Sequence, residues 1–581
     1  MIIEAVETAL FAVLGVAIIV TVAAFSKKLG IAVPLILVVV GLGLSYLPGV
    51  PAISVPHEWI LMGVLPPLLY AAAVNVPVVD FRRNFGAITS LSVFLVLFSA
   101  GATGVLLYLL LPDLNLAAAI ALGAVVSPPD AVAATSIGKK LGLPPRLLTV
   151  LEGEGLVNDA TALVLLRSAI AASAGGLSSI WDGVADFGYA VVAAVVVGLL
   201  VGAATVYIRS KLHDPVLDTA ISFVVPFIAF IPAEELGASG VLAVVVAGLY
   251  TGHRAGSAFS AQARINDSVN WHTVQFLLEN GVFLLMGLEI RFLVDNVNPE
   301  LLTVGQSVLI GLAVTVLLIA IRFLWMGPMI LMLRAKVGYA ERRTDRFRQL
   351  LDRVKAQGLA DDRARRRHVR GERLYRRRTA DLTQLRKEGL SWRGGVILGW
   401  SGMRGVVTLA AAQSLPEQTP YREQLVLIAF TVAVVTLLLQ GGTLPWLIRV
   451  LGVQGRDAAE DQRDLATLLD QISDAGLLVL EEPGQCLNQD LEIDPDVVER
   501  VRQSTFLRSQ LAWERVKALG MDTSATPQLQ YRDLRRAVVD AEREALLQAK
   551  REGRFPSRIL AEAQRLLDLE ESRLKPRLGE H

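Results

Sequence analysis

The 581-residue chain contains one cysteine, Cys486, and few charged residues. A single cysteine excludes a disulfide framework and any cysteine-based zinc or iron–sulfur site. Charged residues make up 19% of the chain and hydrophobic residues 53%, whereas soluble domains average about 25% and about 45–50%. The formal net charge of +1 gives no indication of a nucleic-acid partner, and the phosphate-binding loop of nucleotide hydrolases is missing from the sequence.

Long apolar runs fill residues 1–333 and return within 394–450. A membrane-spanning helix needs about 20 mostly apolar residues. Thirteen runs are candidates: 5–25, 30–47, 58–76, 86–111, 116–138, 147–174, 184–208, 216–232, 236–251, 273–295, 303–333, 394–414 and 424–449. The sequence therefore predicts an all-α polytopic membrane protein with about 13 transmembrane helices.

Basic residues occur in every second connection between the early runs. They are Lys27, Lys28, Arg82, Arg83, Lys139, Lys140, Arg146, Arg209, Lys211, Arg254 and Arg264. The connections after the second, fourth, sixth and eighth runs carry no Lys or Arg. Because positive residues stay on the cytoplasmic side, we expect a multi-pass protein of the inner (plasma) membrane, with its N-terminus outside and its C-terminus cytoplasmic.

Two further segments differ from the apolar body, which comprises 1–333 and 394–450 and is the predicted transmembrane domain. Residues 334–393 hold 20 Lys and Arg against 8 Asp and Glu, which predicts a basic cytosolic loop. Attraction to anionic lipid headgroups explains this charge better than nucleic-acid binding, since transmembrane runs flank the segment. Residues 451–581 predict a cytosolic C-terminal helical region.

Several ionisable residues interrupt the apolar runs. They are Asp130, Glu152, Glu154, Asp159, Glu279 (beside Asn280), Arg322 and Arg404. Such residues are rare inside a membrane and mark ion pathways or buried pairs. The acids outnumber the arginines, so at least one carboxylate is left to bind a proton or a cation. Asp159 lies about 140° round the helix from Glu154, whereas Glu152, seven residues away, shares its face.

Two of the runs contain helix-breaking sequences. Residues 127–130 read Ser-Pro-Pro-Asp, and residues 399–405 contain three glycines. The two runs cross in opposite directions, so we expect discontinuous helices that meet at mid-membrane, as in transporter binding sites. Asp130 and Arg404 are placed to neutralise the half-helix ends, although direct ion binding by Asp130 remains an alternative.

The motifs around these residues resemble a known family. Ser-Pro-Pro-Asp-Ala-Val-Ala (127–133), Glu-Gly-Glu-Gly-Leu-Val-Asn-Asp-Ala-Thr-Ala (152–162), Phe-Leu-Leu-Met-Gly-Leu-Glu (283–289) and Trp-Ser-Gly-Met-Arg-Gly-Val-Val (400–407) are similar to segments of monovalent cation/proton antiporters of the NhaP and sodium/proton exchanger type. The resemblance implies inverted six-helix repeats, crossed discontinuous helices, a core domain that moves against a dimerisation domain, and a homodimer without cofactors.

The resemblance also implies roles for individual residues. Asp159 would be the carboxylate that binds proton or cation, with Asn158 beside it. Members with this Asn-Asp pair are generally electroneutral, which implies one proton per cation. Glu154 would be either a second Na⁺ ligand or the partner of an arginine such as Arg322, and Arg404 would pair charge in the core.

The chain departs from the family pattern at the expected ion site. Gly155 and Pro129 stand where relatives often have hydroxyl residues, and residues 68–75 lack the acid often found in the third helix. The carbonyl of Pro129 remains as an oxygen ligand. Side chains that could substitute for the missing oxygens are Ser127, Thr161 and Asn75.

These features predict a secondary active antiporter and not an enzyme. It would exchange protons for monovalent cations, Na⁺ first and Li⁺ or K⁺ as alternatives, by alternating access at Asp159. Its partners would be these ions, membrane lipid and a second copy of the chain, with no nucleic acid. A passive cation channel is an alternative. An intramembrane aspartyl protease needs Tyr-Asp and Gly-x-Gly-Asp motifs, and the runs contain neither.

Overall fold

The computed structural model describes residues 2–29, 31–48, 50, 55–173, 180–212, 214–356, 362–387, 391–453, 458–481, 495–518, 527–552 and short stretches between 560 and 571. Helices dominate these residues, and no β-strand occurs among them. The predicted all-α fold class is therefore confirmed. The chain forms two compact units, Met1–Gly455 and Arg456–His581.

The first unit contains eighteen α-helices within the described residues. They are α1 Ile2–Leu29, α2 Val33–Ser45, α3 Leu65–Asn75, α4 Val78–Thr89, α5 Val96–Leu110, α6 Leu116–Val126, α7 Ala131–Lys140, α8 Pro145–Ser173, α9 Ile180–Lys211, α10 Pro215–Glu235, α11 Gly240–Ala258, α12 Ala261–Leu288, α13 Ile290–Asp295, α14 Val304–Ala356, α15 Asp362–Lys387, α16 Trp392–Trp400, α17 Val406–Gln413 and α18 Arg422–Leu451. Wider π-helical turns lead into α3 and α5, at Trp59–Val64 and Ser90–Leu95.

Helical structure lies on each of the thirteen predicted apolar runs. Among the described residues, seven helices are long and apolar enough to cross a membrane, and three shorter apolar helices lie at Leu10–Ser26, Val33–Ser45 and Trp59–Asn75. The outward side chains in the middle of α9 are apolar, as a lipid-facing surface requires; Val192, Val196 and Leu200 are exposed. The exact number of crossings and the inverted repeats stay predictions.

Two apolar cores organise the first unit. The larger includes residues of α2, α5 to α8, α12, α14 and α16 to α18, and the smaller includes residues of α3, α8, α10, α11 and α12. Both α8 and α12 contribute to both cores. The backbone of α12 contacts that of α2 where Gly41 faces Gly287, and a Cβ on either glycine would overlap the opposite backbone. Small residues at this contact hold the two helices together at close range.

The basic segment 334–393 is helical over much of its described part. Helix α14 continues to Ala356, and α15 covers Asp362–Lys387; the cytosolic location of the segment stays a prediction. The two helices contact each other through Arg348 Nη1, which donates to the Tyr375 hydroxyl at 3.2 Å, and through Arg378, whose guanidinium lies 5.1 Å from the Phe347 ring. Arg, Lys, Leu, Gln and Glu are strong helix formers, so the end of the apolar run does not end the helix.

One difference from the sequence prediction concerns Arg209, predicted in a connection. It lies inside α9, with only 2% of its surface exposed. Its guanidinium donates to Asp218 at 2.8 and 2.7 Å and to Asp267 at 2.6 Å. Helix α9 therefore continues beyond its apolar run. The buried charge of Arg209 is tolerated in the helix because it is paired within the protein and does not face lipid.

The second unit is helical in its described parts. It contains α19 Ala458–Glu481, α20 Pro495–Ala518 and α21 Pro527–Glu552. Helices α19 and α20 pack together, and Trp513 Nε1 donates to the Asp470 carboxylate at 2.6 Å. Its helical character agrees with the prediction for 451–581. Its cytosolic location and exact limits stay predictions, and Cys486 lies outside the described residues.

Candidate functional site

Two helices of the first unit are interrupted where the sequence predicts breaks. The first break separates α6, which ends at Val126, from α7, which begins at Ala131. The second separates α16, which ends at Trp400, from α17, which begins at Val406. The breaks touch each other, since the Asp130 N–H donates to the Met403 carbonyl at 2.6 Å. Four half-helix ends therefore converge on one point.

Arg404 lies at the carboxyl ends of two of these half-helices. Its Nε donates to the Val126 carbonyl at 3.0 Å, and an Nη donates to the Ser127 carbonyl at 3.2 Å. The other Nη contacts the Gly402 carbonyl. The side chain is 2% exposed. A cation here satisfies carbonyls that have no helical partner and offsets the negative ends of the helix dipoles.

Asp130 lies at the amino ends of the other two half-helices. Its Oδ1 accepts the N–H of Val132 at 2.8 Å and so caps α7. Its carboxylate also lies directly against Gly405, the N-cap of α17, where a Cβ would overlap it. An anion is favourable at helix N-termini. Asp130 therefore lies where an anion offsets the positive ends of two half-helices; its role as a neutralising group or as an ion ligand stays a prediction.

Asn158 ties α8 to the first break. Its Nδ2 donates to the Pro129 carbonyl at 2.6 Å, and its Oδ1 accepts the N–H of Asp159 at 2.7 Å. The side chain is fully buried. The Pro129 carbonyl, predicted as an ion ligand, is thus already engaged by an amide donor.

The hydroxyl and amide side chains suggested as substitute ligands also bond within their own helices. Each donates to the carbonyl four residues earlier: Ser127 to Gly123 at 2.6 Å, Thr161 to Val157 at 3.2 Å, and Asn75 to Ala71 at 2.8 Å. Asn75 lines a cavity that Asp159 also lines, whereas Ser127 and Thr161 are buried.

Glu154 forms a bidentate ion pair with Arg322. Nη1 lies 2.5 Å from Oε1 and Nη2 lies 2.8 Å from Oε2, while Nε donates to the Leu398 carbonyl at 3.0 Å. Glu154 is 1% exposed and Arg322 2%. Of the two predicted roles for Glu154, the structure contains the arginine pair. The Na⁺-ligand role would require Glu154 to leave Arg322, so the geometry does not support it.

Asp159 presents its carboxylate to a cavity of about 950 Å³. Residues of α1 to α4, α7, α8, α12 and α17 line the cavity, among them Asn75 and Glu279, and so does Asp130 in the first break. No hydrogen bond donor to the Asp159 carboxylate occurs among the described residues, which leaves both of its oxygens for an ion from the cavity.

One end of the cavity reaches basic residues. Lys139 and Lys140, at the end of α7, line it together with Glu152, and Lys139 Nζ lies 2.7 Å from Glu152 Oε1. Glu152 and Asp159 line the same cavity, as their seven-residue spacing predicts. The cavity therefore extends from Asp159 to the connection that the sequence predicts to be cytoplasmic.

Comparison with known proteins decides the family. The model of the family described as sodium/hydrogen exchanger, transmembrane, matches residues 14–450. The chain belongs to the sodium/hydrogen exchanger family. The resemblance seen in the motifs is confirmed, and so is the prediction of a membrane transporter and not an enzyme.

Relatives of this exchanger cover most of its length. An uncharacterized Na⁺/H⁺ exchanger of Mycobacterium tuberculosis is 28% identical over 555 residues, 93% of this chain and 91% of that protein. The Na⁺/H⁺ antiporter ApNhaP of Aphanothece halophytica is 27% identical over 448 residues, 76% of this chain and 73% of that one.

A solved structure shares the fold. The sodium proton antiporter MjNhaP1 from Methanocaldococcus jannaschii superposes with a TM-score of 0.56 at 16% identity, covering 77% of this chain and all of that one. At this identity the likeness concerns the fold alone.

Sequence reasoning missed one charged cluster of this exchanger and the location of one charged residue that it had identified. The buried Arg209–Asp218–Asp267 cluster joins α9, α10 and α12, and Asp218 could have signalled it as an acid inside the apolar run 216–232. Glu279 was visible inside the run 273–295, but nothing in its local sequence showed that it lines the same cavity as Asp159.

Proposed function

We propose that this exchanger is a secondary active antiporter that moves protons against monovalent cations across the membrane. Na⁺ is the first candidate, and Li⁺ and K⁺ are the alternatives. Family membership supports the class of activity. The observation that carries the proposal is the Asp159 carboxylate, which faces the cavity beside the crossed breaks and receives no hydrogen bond from the described residues.

In the proposed mechanism, proton and cation compete for Asp159. A carboxylate removed from bulk water is costly when charged and unpaired, and either a proton or a bound cation removes that cost. Only the neutralised Asp159 site then changes its access from one side of the membrane to the other. One site with two mutually exclusive occupants couples the fluxes without ATP. The Asn158–Asp159 sequence favours one proton per monovalent cation, hence electroneutral exchange.

The surrounding residues would hold this carboxylate in place while the half-helices move. Asn158 links the Asp159 backbone to Pro129 in the first break. Arg404 and Asp130 neutralise opposite half-helix ends. Glu154 is assigned to the pair with Arg322, so a cation at Asp159 would take its remaining ligands from Ser127, Thr161, Asn75, backbone carbonyls or water.

The proposed arrangement in the membrane follows the distribution of basic residues. The cavity end lined by Lys139 and Lys140 would face the cytoplasm, with the N-terminus outside and two copies of the chain forming a dimer. Accessibility labelling of single cysteines placed near residue 48 and near residue 140 in a Cys486→Ser background tests the orientation. Labelling of both positions from the same side contradicts it.

The decisive experiment is exchange in proteoliposomes. An outward Na⁺, Li⁺ or K⁺ gradient should drive proton uptake at clamped zero potential, and Asp159→Asn should abolish the signal while the purified variant elutes as the folded protein. Wild-type rates in this variant would refute the role of Asp159.

The same assay separates the rivals. A passive channel would move the cation without driving protons at zero potential. A change of rate with imposed membrane potential would contradict electroneutral stoichiometry, and the order of the three cations would establish selectivity.

A further inference from the structure

The cavity contains a second carboxylate that the proposed mechanism leaves unused. Glu279 lies on α12 and lines the same cavity as Asp159. It accepts a hydrogen bond from Gln275 Nε2, one helical turn earlier, at 2.6 Å. Among the described residues no salt bridge reaches Glu279, whereas Glu152 is paired with Lys139 and Glu154 with Arg322. Its carboxylate can therefore take a cation from the cavity.

The neighbouring residue provides an independent indication of a ligand. Asn280 also lines the cavity and is only 5% exposed. Its Nδ2 donates to the Phe276 carbonyl at 2.7 Å, but its Oδ1 is buried and has no hydrogen bond partner in the described part of the chain. A buried oxygen without a partner is unfavourable, and a cation held beside it would remove that deficit.

Glu279 lines the cavity from α12, whereas Asp159 lines it from α8. Lys139 and Lys140, at the end of α7, line the same cavity. Helix α3, on another side of the cavity, contributes the amide of Asn75 and no acid.

We propose that Glu279 and Asn280 form a second subsite for a monovalent cation in the cavity that Asp159 also lines. A carboxylate and an amide oxygen suit a hard cation. A divalent ion such as Ca²⁺ takes about 6–8 oxygen ligands, usually several of them carboxylates, and no cluster of three or more His, Cys, Asp or Glu that could hold a metal occurs among the described residues. The inference rests on the proposed function, since it assigns this subsite to the same cation.

Transport kinetics test the subsite. Glu279→Gln should raise the Na⁺ concentration for half-maximal exchange by about tenfold, since a nearby charge attraction is lost. The maximal rate should stay within about twofold of the wild-type rate. The substitution changes cation binding and does not change the movement of the site that contains Asp159 across the membrane. Glu279→Asp should recover part of the affinity, which a merely structural role would not predict. Glu235→Gln, an exposed acid elsewhere on the unit, is the matched control and should behave as wild type.

Equilibrium binding distinguishes this inference from the proposed function. Radiolabelled Na⁺ should still bind to purified Asp159→Asn protein, and adding Glu279→Gln or Asn280→Ala should remove that residual binding. Absence of binding in Asp159→Asn, or equal binding in the double variants, overturns the subsite even if exchange through Asp159 is established. Conversely, exchange that persists in Asp159→Asn would refute the proposed function and leave the binding result to decide the subsite. Size-exclusion elution checks that each variant is folded.

Discussion

The Arg209 cluster and the Asp159 cavity are two groups of charge within one helical unit, and they are built in opposite ways. Arg209 is held by both Asp218 and Asp267 and is covered by the Phe259 ring at 4.2 Å. Asp159 faces open space and lacks a donor among the described residues. A charge sealed against its partners stabilises a packing arrangement, whereas a charge left facing a cavity is available to an ion.

The same contrast occurs along a single helix. Glu154 and Asp159 lie five residues apart on α8, so their side chains point to different neighbours. Glu154 meets Arg322 on α14 and is closed off, while Asp159 meets the cavity. Residue type alone therefore does not separate a structural acid from an accessible one.

The largest effect on exchange is expected at Asp159, the charge that faces the cavity. Asp159→Asn should reduce exchange to the rate of empty liposomes with little change in thermal stability, since the carboxylate has no donor to lose among the described residues. Exchange and the melting temperature in detergent are measured on the same sample. If Asp159→Asn strongly lowered the melting temperature but left residual exchange, Asp159 would have a structural role like that of the buried Arg209 cluster.

Replacing Arg209, the positive charge of the buried cluster, should lower stability more than it lowers exchange. Arg209→Met leaves Asp218 and Asp267 buried without their partner, at an expected cost of about 3–5 kcal/mol. The melting temperature and the yield of monodisperse protein should fall. Arg449→Met, at the exposed end of α18, is the control. An Arg209→Met protein as stable as the control would show that the cluster is not structural.

An intermediate effect is expected where the breaks cross. Gly405→Ala places a Cβ in the space of the Asp130 carboxylate, which should displace the cap of α7 and slow exchange by about 10–100-fold. Gly101→Ala, whose Cβ would meet open space, should be neutral. Equal rates for the two variants would mean that the close contact of Asp130 with α17 has no part in transport.

The smallest effect is expected at the end of the cavity. The pair between Lys139 and Glu152 is partly solvated, with the lysine side chain 63% exposed, so Glu152→Gln should change stability by less than about 1 kcal/mol. Thermal unfolding at low and high salt measures this. A loss as large as that of Arg209→Met would show that the pair is as important to packing as the sealed cluster.

The helix breaks could be predicted because they are local. Pro128 and Pro129, which follow α6, have no amide N–H to continue the helix. In the second break, Gly402 leaves room for Arg322 and Gly405 leaves room for Asp130. The positions of Asp130 and Arg404 at opposite half-helix ends follow from dipole electrostatics once the breaks are known.

The ends of the helices could not be predicted from the ends of the apolar runs. Within 334–393, α14 continues to Ala356 and α15 covers Asp362–Lys387, because charged residues with long side chains propagate a helix as well as apolar ones do. Likewise α9 continues past its apolar run and includes Arg209. Hydropathy indicates whether a segment is surrounded by lipid or by water. The backbone hydrogen bonds of a helix continue across that boundary.

The all-α class, the apolar segments, the two breaks and the family could be predicted from the sequence, since each depends on residues close together in the chain. Which charges are partnered became known from the packing of the helices. Glu154 meets Arg322 across 168 positions, Arg209 meets Asp267 across 58, and Glu279 joins Asp159 at one cavity through the packing of α8 and α12. The physical reason is that burial and charge pairing depend on which helices are neighbours in space, and one helix face does not specify the helix that will cover it.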